Sequence, residues 1–272
     1  MTGSQPDTRP DVPLRMELTF EVPGAPEQVW QAIATGEGIS SWFLPTDVEE
    51  GEGGAIVTHM GPDASSPGTV TGWDPPRRFA YEEPEWAALV GHEGAPVTPL
   101  ATEFLVEARS GGTCVVRVVS SAFGTGADWE QEFFSGMEKA WAPWFDVLRL
   151  YVASFPGQRA TRLGAAADVA GSGDEVNAAM RRALGVTEAG QPVETGTLTA
   201  RVERIADMMV LLSLTAPLPG YLALYAYDKG DGVAAAQVAG YLFSEEAEEH
   251  VAREERAWKA WLEALRVPTT TG

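Results

Sequence analysis

The sequence contains little of what several large classes of protein depend on. Only one of its 272 residues is cysteine, which excludes an internal disulfide and fits a reducing compartment. Lysine and arginine number 19 against 39 acidic residues, giving a formal charge of -20, so most of the surface would repel a polyanion such as DNA. We therefore expect an acidic protein that does not bind nucleic acid.

Long apolar segments are absent as well. No run of roughly eighteen or more apolar residues occurs, which excludes a transmembrane helix. The N-terminal residues lack the basic start and apolar core of a secretory signal. These absences predict a cytoplasmic protein, and the wealth of alanine and glycine suggests a bacterial source with a GC-rich genome.

The sequence also lacks the motifs of common cofactor and nucleophile chemistry. It has no glycine-rich dinucleotide or phosphate loop, no Cys-x-x-Cys, no His-Glu-x-x-His and no Gly-x-Ser-x-Gly. We therefore expect no cofactor and no metal site. The single cysteine, Cys114, lies in an apolar run and is interpreted as a buried strand residue rather than a nucleophile.

The first half of the chain changes its hydrophobic period along its length, from two residues, as in a strand, to three or four, as in a helix. Residues 14–22 alternate apolar and polar, which predicts a half-buried strand. Two short helical segments follow, and residues 46–120 then form strand-like segments separated by turns, which indicates an antiparallel meander. Over residues 128–155, apolar side chains recur every three or four positions, which predicts one long helix. A polar insertion at 83–97 is interpreted either as a flap over a cavity mouth or as a surface loop.

The second half repeats part of this pattern over a shorter length. A Gly- and Ala-rich stretch at 157–192 is interpreted as a linker with one helix, and four strands and a helix are predicted within 193–266. Both long helices carry Trp-x-x-Trp, beginning at Trp141 and at Trp258. This self-similarity predicts a truncated second repeat, whose sheet would need a partner in the first domain or in another subunit. The alternative is that the tryptophans merely mark two amphipathic helices.

Together these patterns predict an α+β fold. A curved antiparallel sheet would surround a long C-terminal helix, followed by a smaller sheet-plus-helix half-repeat. The predicted organisation is a disordered tail at 1–13, a first domain at 14–156, the linker at 157–192, a smaller domain at 193–266 and a tail at 267–272.

Four segments resemble the START-like helix-grip (SRPBCC) superfamily over about residues 14–155. They are Glu21-Val-Pro-Gly-Ala-Pro-Glu-Gln-Val-Trp30, Ile39-Ser-Ser-Trp-Phe-Leu-Pro45, Gly53-Gly54 and Gly72-Trp-Asp-Pro-Pro-Arg-Arg-Phe79. Within that superfamily they are similar to the AHSA-like branch, which is related to the activator of the ninety-kilodalton heat-shock-protein ATPase. The resemblance implies a helix-grip fold with a cavity between the sheet and the long helix.

Two positions depart from the pattern of such proteins. Ala55 follows Gly53-Gly54 where relatives often carry a large aromatic or basic residue, and Pro143 lies inside the long helix. Both change the size of the cavity. The ligand of a relative is therefore not carried over to this chain.

The resemblance implies a binding site, and the aromatic residues expected around the cavity suit an apolar ligand, such as a lipid or a polyketide-like molecule. Each of these residues, taken alone, is also what the core of such a domain needs. The predicted ligand-binding residues are Trp42, Phe43, His59, Trp73, Met137, Trp141, Trp144 and Phe145.

Three functions stay open at this point. The first is binding of a hydrophobic small molecule without catalysis. The second, implied by the resemblance, is a co-chaperone or protein-interaction module in the stress response, with a chaperone, another protein or a second copy of the chain as partner. The third is an enzyme acting on an apolar substrate, for which His59 with Glu103 or Glu107 is the candidate acid–base pair.

Overall fold

The computed structural model describes residues 11–61, 64–195 and 198–267. Backbone contacts divide the chain into two compact units, Met1–Gly157 and Gln158–Gly272. Each unit contains its own antiparallel sheet. The two units are therefore described separately.

The predicted tails are only partly within the described residues, since 1–10 and 268–272 lie outside them. Val12 and Pro13 do not belong to a tail, because they pair with Gly124 and Phe123 in the first sheet. Pro13 is tolerated there because its strand lies at the edge of the sheet, where a missing backbone donor costs least. The strand partner lies far along the chain, so the local sequence did not reveal this extension.

The sheet of the first unit has seven strands among the described residues, in the order β1-β7-β6-β5-β4-β3-β2. All of its neighbouring strands are antiparallel, as the short connections predict. The strands are β1 (Val12–Pro23), β2 (Thr46–Val48), β3 (Ala55–Gly61), β4 (Ala64–Asp74), β5 (Arg78–Glu83), β6 (Leu100–Arg109) and β7 (Thr113–Gly124).

The long helix of this unit packs against β1 and the first short helix, and its Phe145 ring stacks on Phe20 of β1 at 4.0 Å between centroids. A sheet with one long helix against it is the predicted helix-grip fold, which is thereby confirmed. The helices are α1 (Pro26–Ala34), α2 (Gly36–Ser40), α3 (Trp86–Leu89) and α4 (Asp128–Ser154).

A buried carboxylate fixes the start of α4. Glu130 is 1% exposed and accepts hydrogen bonds from the Thr125 N–H, the Thr125 hydroxyl and the Gly126 N–H, each at 2.9 Å. Burial alone would raise the pKa of Glu130, but these hydrogen bonds, with one from the Ala127 N–H, outweigh it and hold the pKa below its ordinary value. Gly124 is required beside it, because a Cβ there would lie 2.2 Å from Glu130 Oε2.

The second unit has a six-stranded antiparallel sheet among its described residues, in the order β8-β13-β12-β11-β10-β9. Its elements are β8 (Thr161–Ala170), α5 (Gly173–Leu184), β9 (Pro192–Thr195), β10 (Leu198–Ile205), β11 (Met209–Ala216), β12 (Gly220–Gly230), β13 (Val233–Leu242) and α6 (Ala247–Glu263).

Helices α5 and α6 share one hydrophobic core with the sheet of the second unit. Val176 and Met180 of α5, and Trp258 and Leu262 of α6, are all buried in it. Asn177 ties α5 to the sheet, because its side-chain amide donates to the Ala226 carbonyl at 2.9 Å and accepts from the Ala226 N–H at 2.9 Å. Trp258, the first tryptophan of the second Trp-x-x-Trp motif, is therefore a packing residue of this unit.

The predicted linker at 157–192 and the predicted four-stranded sheet are both wrong. Strand β8 lies inside the supposed linker and pairs along the whole of β13, and β9 adds the sixth strand. The prediction failed because half of Thr161–Ala170 is alanine or glycine, residues with little preference for strands, so its pairing with β13 decides its conformation. With six strands, the sheet no longer calls for a partner to supply missing ones.

Candidate functional site

The first unit holds a cavity between its sheet and helices α1, α2 and α4. The space in it that the centre of a water-sized sphere can reach is about 30 Å³, and all of its non-atom space, including open solvent at the mouth, is about 430 Å³. Strands β2, β3, β5 and β6 supply the wall opposite α4. The lining residues are Ile33, Ile39, Trp42, Phe43, Thr46, Ile56, Thr58, Phe79, Tyr81, Phe104, Trp141, Trp144 and Phe145.

The inner end of the aromatic wall is held rigidly. Trp42 follows α2 and is 4% exposed, and its indole N–H donates to the Ala32 carbonyl at 2.8 Å. Its ring lies 6.1 Å from that of Phe145, which is also buried. A buried indole whose N–H is already satisfied presents only its apolar faces to the cavity.

The outer end of the wall is less tightly enclosed. Phe43 and Trp141 are both half-buried, and their ring centroids are 5.8 Å apart. Trp141 comes two residues before Pro143, which cannot donate the helical hydrogen bond to the Lys139 carbonyl. The part of α4 that carries Trp141 therefore lacks one of the hydrogen bonds that hold a helix straight.

Hydroxyl groups form a row across the sheet next to the apolar wall. Tyr81, Thr102 and Ser120 are register partners on β5, β6 and β7. Thr102 and Ser120 are buried, with 3.0 Å between their hydroxyl oxygens. Burial, and next the charge of Glu83, raises the pKa of Tyr81, so its phenol stays protonated.

A half-buried acid, Glu83, lies on the same strand as Tyr81, two residues further on. The Ser66 hydroxyl of β4 donates to Glu83 Oε1 at 2.5 Å, and Ser66 is itself only 4% exposed. Burial raises the pKa of the Glu83 carboxyl, and the hydrogen bond from Ser66 opposes only part of that rise. Sequence reasoning placed Glu83 in a polar insertion and missed it. The signal was the alternation Phe79, Tyr81, Glu83 along one face of β5.

This raised pKa has a testable consequence for stability. The folded state binds more protons than the unfolded chain above the unfolded pKa of about 4.3, so the contribution of Glu83 to stability declines as the pH rises towards the raised folded pKa. We expect Glu83→Gln to gain stability over wild type across that window, measured by hydrogen exchange of β4 and β5. Glu82→Gln, exposed on the same strand, is the control. Parallel pH profiles for Glu83→Gln and wild type would contradict the expectation.

The structure brings together five of the eight predicted ligand-binding residues. Trp73 instead packs edge-on against Trp30 of α1 at 5.1 Å, and Met137 is buried in a separate hydrophobic cluster. Ile56 and Thr58, which alternate along β3, face the cavity. His59 lies at the opposite phase of that alternation, so its side chain is on the other face of the sheet. The five that line the cavity are Trp42, Phe43, Trp141, Trp144 and Phe145.

The predicted acid–base residues do not meet. The His59 ring nitrogen Nε2 lies in hydrogen-bond contact with the largely exposed Asp47 at 2.8 Å, and Glu103 accepts from Arg78 at 2.6 Å. Strands β4 and β5 separate His59 from Glu103, and the side chain of Glu107 is 72% exposed. No catalytic role is therefore assigned to His59, Glu103 or Glu107.

The polar insertion at 83–97 packs against the first half of α4. Trp86 of α3 is 1% exposed, donates its indole N–H to the Thr98 carbonyl at 2.9 Å and lies 4.7 Å from the Phe133 ring. His92 stacks on Trp129 at 4.0 Å. The insertion contributes no residue to the cavity lining, but it packs in the cluster that Trp141 borders. Neither the predicted flap nor the predicted plain surface loop therefore describes it, because it lines no part of the cavity and buries Trp86.

The described residues give no sign of metal chemistry or of membrane spanning. None of the His, Cys, Asp and Glu side chains in 11–61, 64–195 and 198–267 form a group of three that could hold a metal ion. Within those same ranges, every helix is too short or too polar to cross a membrane. Cys114 is buried as predicted, and burial raises the pKa of its thiol, which disfavours the reactive thiolate.

The first unit matches a known family. The sequence profile of the family described as Activator of Hsp90 ATPase homolog 1-like protein matches residues 24–153. This range lies inside the stretch of resemblance at 14–155, so the predicted resemblance of this unit to the AHSA-like helix-grip proteins is confirmed. No curated protein sequence matches the chain.

Several solved structures resemble the chain at low sequence identity. CalU16 from Micromonospora echinospora is 16% identical over 52% of this chain and 76% of its own, with a TM-score of 0.40. The Aha1 dimer from Colwellia psychrerythraea is 17% identical over 53% of this chain and 99% of its own, with a TM-score of 0.42. BexL, a di-domain ARO/CYC protein of the BE-7585A biosynthetic pathway, is 11% identical over 94% of this chain and 99% of its own, with a TM-score of 0.45. These likenesses concern the fold alone.

Proposed function

We propose that the first unit binds a hydrophobic small molecule in the cavity between its sheet and α4. The observation that carries the proposal is the chemistry of the cavity wall. Apart from Thr46, Thr58 and Tyr81, every lining side chain is aliphatic, phenyl or indole. Such a wall suits an apolar or aromatic body that leaves water, at about 25 cal/mol for each Å² buried.

Entry of a ligand requires a change at the outer end of the cavity. The 30 Å³ that water can reach leaves room for a few water molecules at most, not for a drug-sized molecule. Three lining rings are half-buried, Phe43, Tyr81 and Trp141. Tyr81 lies on a strand inside the sheet, so Phe43 and Trp141 are the ones that can swing out at the smallest loss of packing. We therefore place the entrance between them. Binding selects the conformation in which these rings have moved aside.

Truncating the entrance ring tests this route. Because the wild-type protein must first displace Phe43, its observed affinity is reduced by the small population of the open form. We expect Phe43→Ala to bind the neutral apolar dye Nile red about five- to tenfold more tightly than wild type, measured by fluorescence titration.

The matched control is Phe123→Ala, since Phe123 is an exposed ring of the same sheet outside the cavity lining. This variant should bind Nile red as wild type does. Equal affinities for all three proteins would contradict an entrance at Phe43, and the absence of dye binding in all three would contradict the proposed function.

The physiological ligand is sought directly. Protein purified from its own host is studied by native mass spectrometry and then denatured to release bound molecules. A stoichiometric apolar small molecule would support the proposal. An empty protein that copurifies with a second polypeptide would contradict it and support the co-chaperone or protein-interaction alternative, which the family description suggests. The enzyme alternative lacks a placed catalytic pair and is not proposed.

A further inference from the structure

The face of β5 that lines the cavity does not end at Tyr81. Phe79 and Tyr81 both line the cavity, and Glu83 is the next residue of that parity. Its partner Ser66 is the register partner of Thr58, which also lines the cavity. The pair of Glu83 and Ser66 therefore extends the cavity wall by one step along the sheet.

A glycine lets the apolar wall and this acid approach each other. A Cβ on Gly68 would lie 2.6 Å from the Glu82 carbonyl oxygen, 3.1 Å from Ile56 Cγ2 and 3.3 Å from Glu83 Cγ, so no side chain fits at this position without a shift of its neighbours. Ile56 lines the cavity, so the stem of Glu83 comes close to the apolar wall with no β4 side chain between them at Gly68.

The same region offers hydroxyl groups but no positive charge. Tyr81, Thr102 and Ser120 form the hydroxyl row, and the cavity lining contains no lysine, arginine or histidine. Arg78 is on β5 as well, but its parity is opposite to that of Tyr81 and its guanidinium is bound to Glu103. A ligand with a carboxylate or phosphate end would thus meet an acid and find no cation to balance it.

We propose that this cavity selects neutral amphipathic molecules, with an apolar body against the aromatic wall and a hydroxyl or carbonyl oxygen at the Glu83–Ser66 pair. The inference rests on the proposed function and adds the chemical class of the ligand. A protonated carboxyl can donate to a carbonyl oxygen and accept from a hydroxyl, so both groups fit. The raised pKa of Glu83 favours that protonated form.

Four probes that share one aromatic body test the inference by competition with Nile red. They are naphthalene, naphthol, acetylnaphthalene and naphthoate. We expect naphthol and acetylnaphthalene to displace the dye at concentrations about tenfold lower than naphthalene, because each adds one buried hydrogen bond to a charged or acidic group. Naphthoate should be the weakest of the four.

Variants assign the preference to the acid. Glu83→Leu should bind all three neutral probes with similar affinity, whereas Glu83→Gln, which keeps a donor and an acceptor, should retain the preference. Glu82→Gln, on the exposed face of the same strand, should behave as wild type. If Glu83→Leu does not fold, Ser66→Ala provides a second test, since it removes the partner of the carboxyl and should weaken the preference for naphthol.

The outcomes separate the inference from the function on which it rests. Displacement by naphthalene without any gain for naphthol or acetylnaphthalene would overturn the inference and leave the proposed function standing. Tightest binding by naphthoate would overturn it in the same way. If none of the four displaces the dye, both the inference and the proposed function fail.

Discussion

Replacing Trp86 by alanine is expected to lower the free energy of unfolding of the first unit by about 3–5 kcal/mol. The ring is 1% exposed and contacts Trp129, Phe133 and Phe134 of α4. Its removal leaves a cavity where the insertion meets the helix, and it also leaves the Thr98 carbonyl without its donor. Chemical denaturation followed by circular dichroism measures the loss.

Leu89→Ala is the control for this prediction, because Leu89 lies on the same short helix but is 42% exposed. That variant should change the stability by no more than about 0.5 kcal/mol. Hydrogen exchange should show faster exchange over 83–97 in Trp86→Ala than in Leu89→Ala. Equal stabilities of the two variants would mean that the insertion contributes nothing to the core.

The Trp86→Ala substitution should also change ligand binding in the cavity. Trp141 packs against the cluster that contains Trp86, and it also lines the cavity. Loosening the cluster therefore frees one of the two entrance rings. In the Nile red titration, Trp86→Ala should consequently move towards the behaviour of Phe43→Ala.

Replacing Glu130 by glutamine is expected to cost about 2–3 kcal/mol of stability at neutral pH. The carboxylate accepts three charge-assisted hydrogen bonds at the start of α4, whereas an amide oxygen accepts fewer and adds a donor with no acceptor beside it. Ala127, the residue at the N-cap, has no side chain that could replace these bonds. Chemical denaturation at pH 7 measures the effect.

The dependence of this effect on pH follows from the lowered pKa of Glu130. A carboxyl whose pKa is lower in the folded state contributes stability above its unfolded pKa of about 4.3, and loses it as the pH falls through the folded pKa. The difference between wild type and Glu130→Gln should therefore shrink as the solution is acidified through that window. Glu132→Gln, an exposed neighbour on α4, should show neither the cost nor the pH dependence. A pH-independent difference would contradict this account.

The pKa shifts of the buried Glu130 and the half-buried Glu83 thus have opposite signs. Glu130 is stabilised in its charged form by hydrogen bonds, whereas Glu83 has a single hydroxyl partner and is dominated by burial. The hydrogen bonds to Glu130 make its charged form favourable in the folded state, so this acid stabilises the fold. An acid held at a net cost in a cavity wall is the one for which a role in binding is worth testing.

Much of the first unit could be predicted because its local signals and its tertiary structure agree. Alternation in 14–22 and the turn residues between the strands predicted the strands of the meander, and the spacing of three and four over 128–155 predicted α4. The five aromatic residues that line the cavity were also within reach, since they flank α2 or lie on the apolar stripe of α4.

Strand β8 could not be predicted from its local sequence. Its alanine and glycine residues favour no strand, and it exists because β13 offers hydrogen-bonding partners from Val233 to Leu242. The same holds for the ends of β1 and for β9, whose partners lie elsewhere in the chain. Pairing of this kind depends on the edge of an already formed sheet, which no window of sequence contains.

By itself, therefore, the sequence determined the class of the first domain, its strand and helix periods, the aromatic character of its cavity and the strongly acidic composition of the chain. Only the tertiary structure decided which face each polar residue takes. His59 and Glu103 were predicted to meet in the cavity and lie apart, whereas Glu83 and Ser66, seventeen positions apart in sequence, are in hydrogen-bond contact. The physical reason is that a shift of one residue in strand register moves a side chain to the opposite face of the sheet. That register is set by pairing between strands, not by the residues of one strand alone.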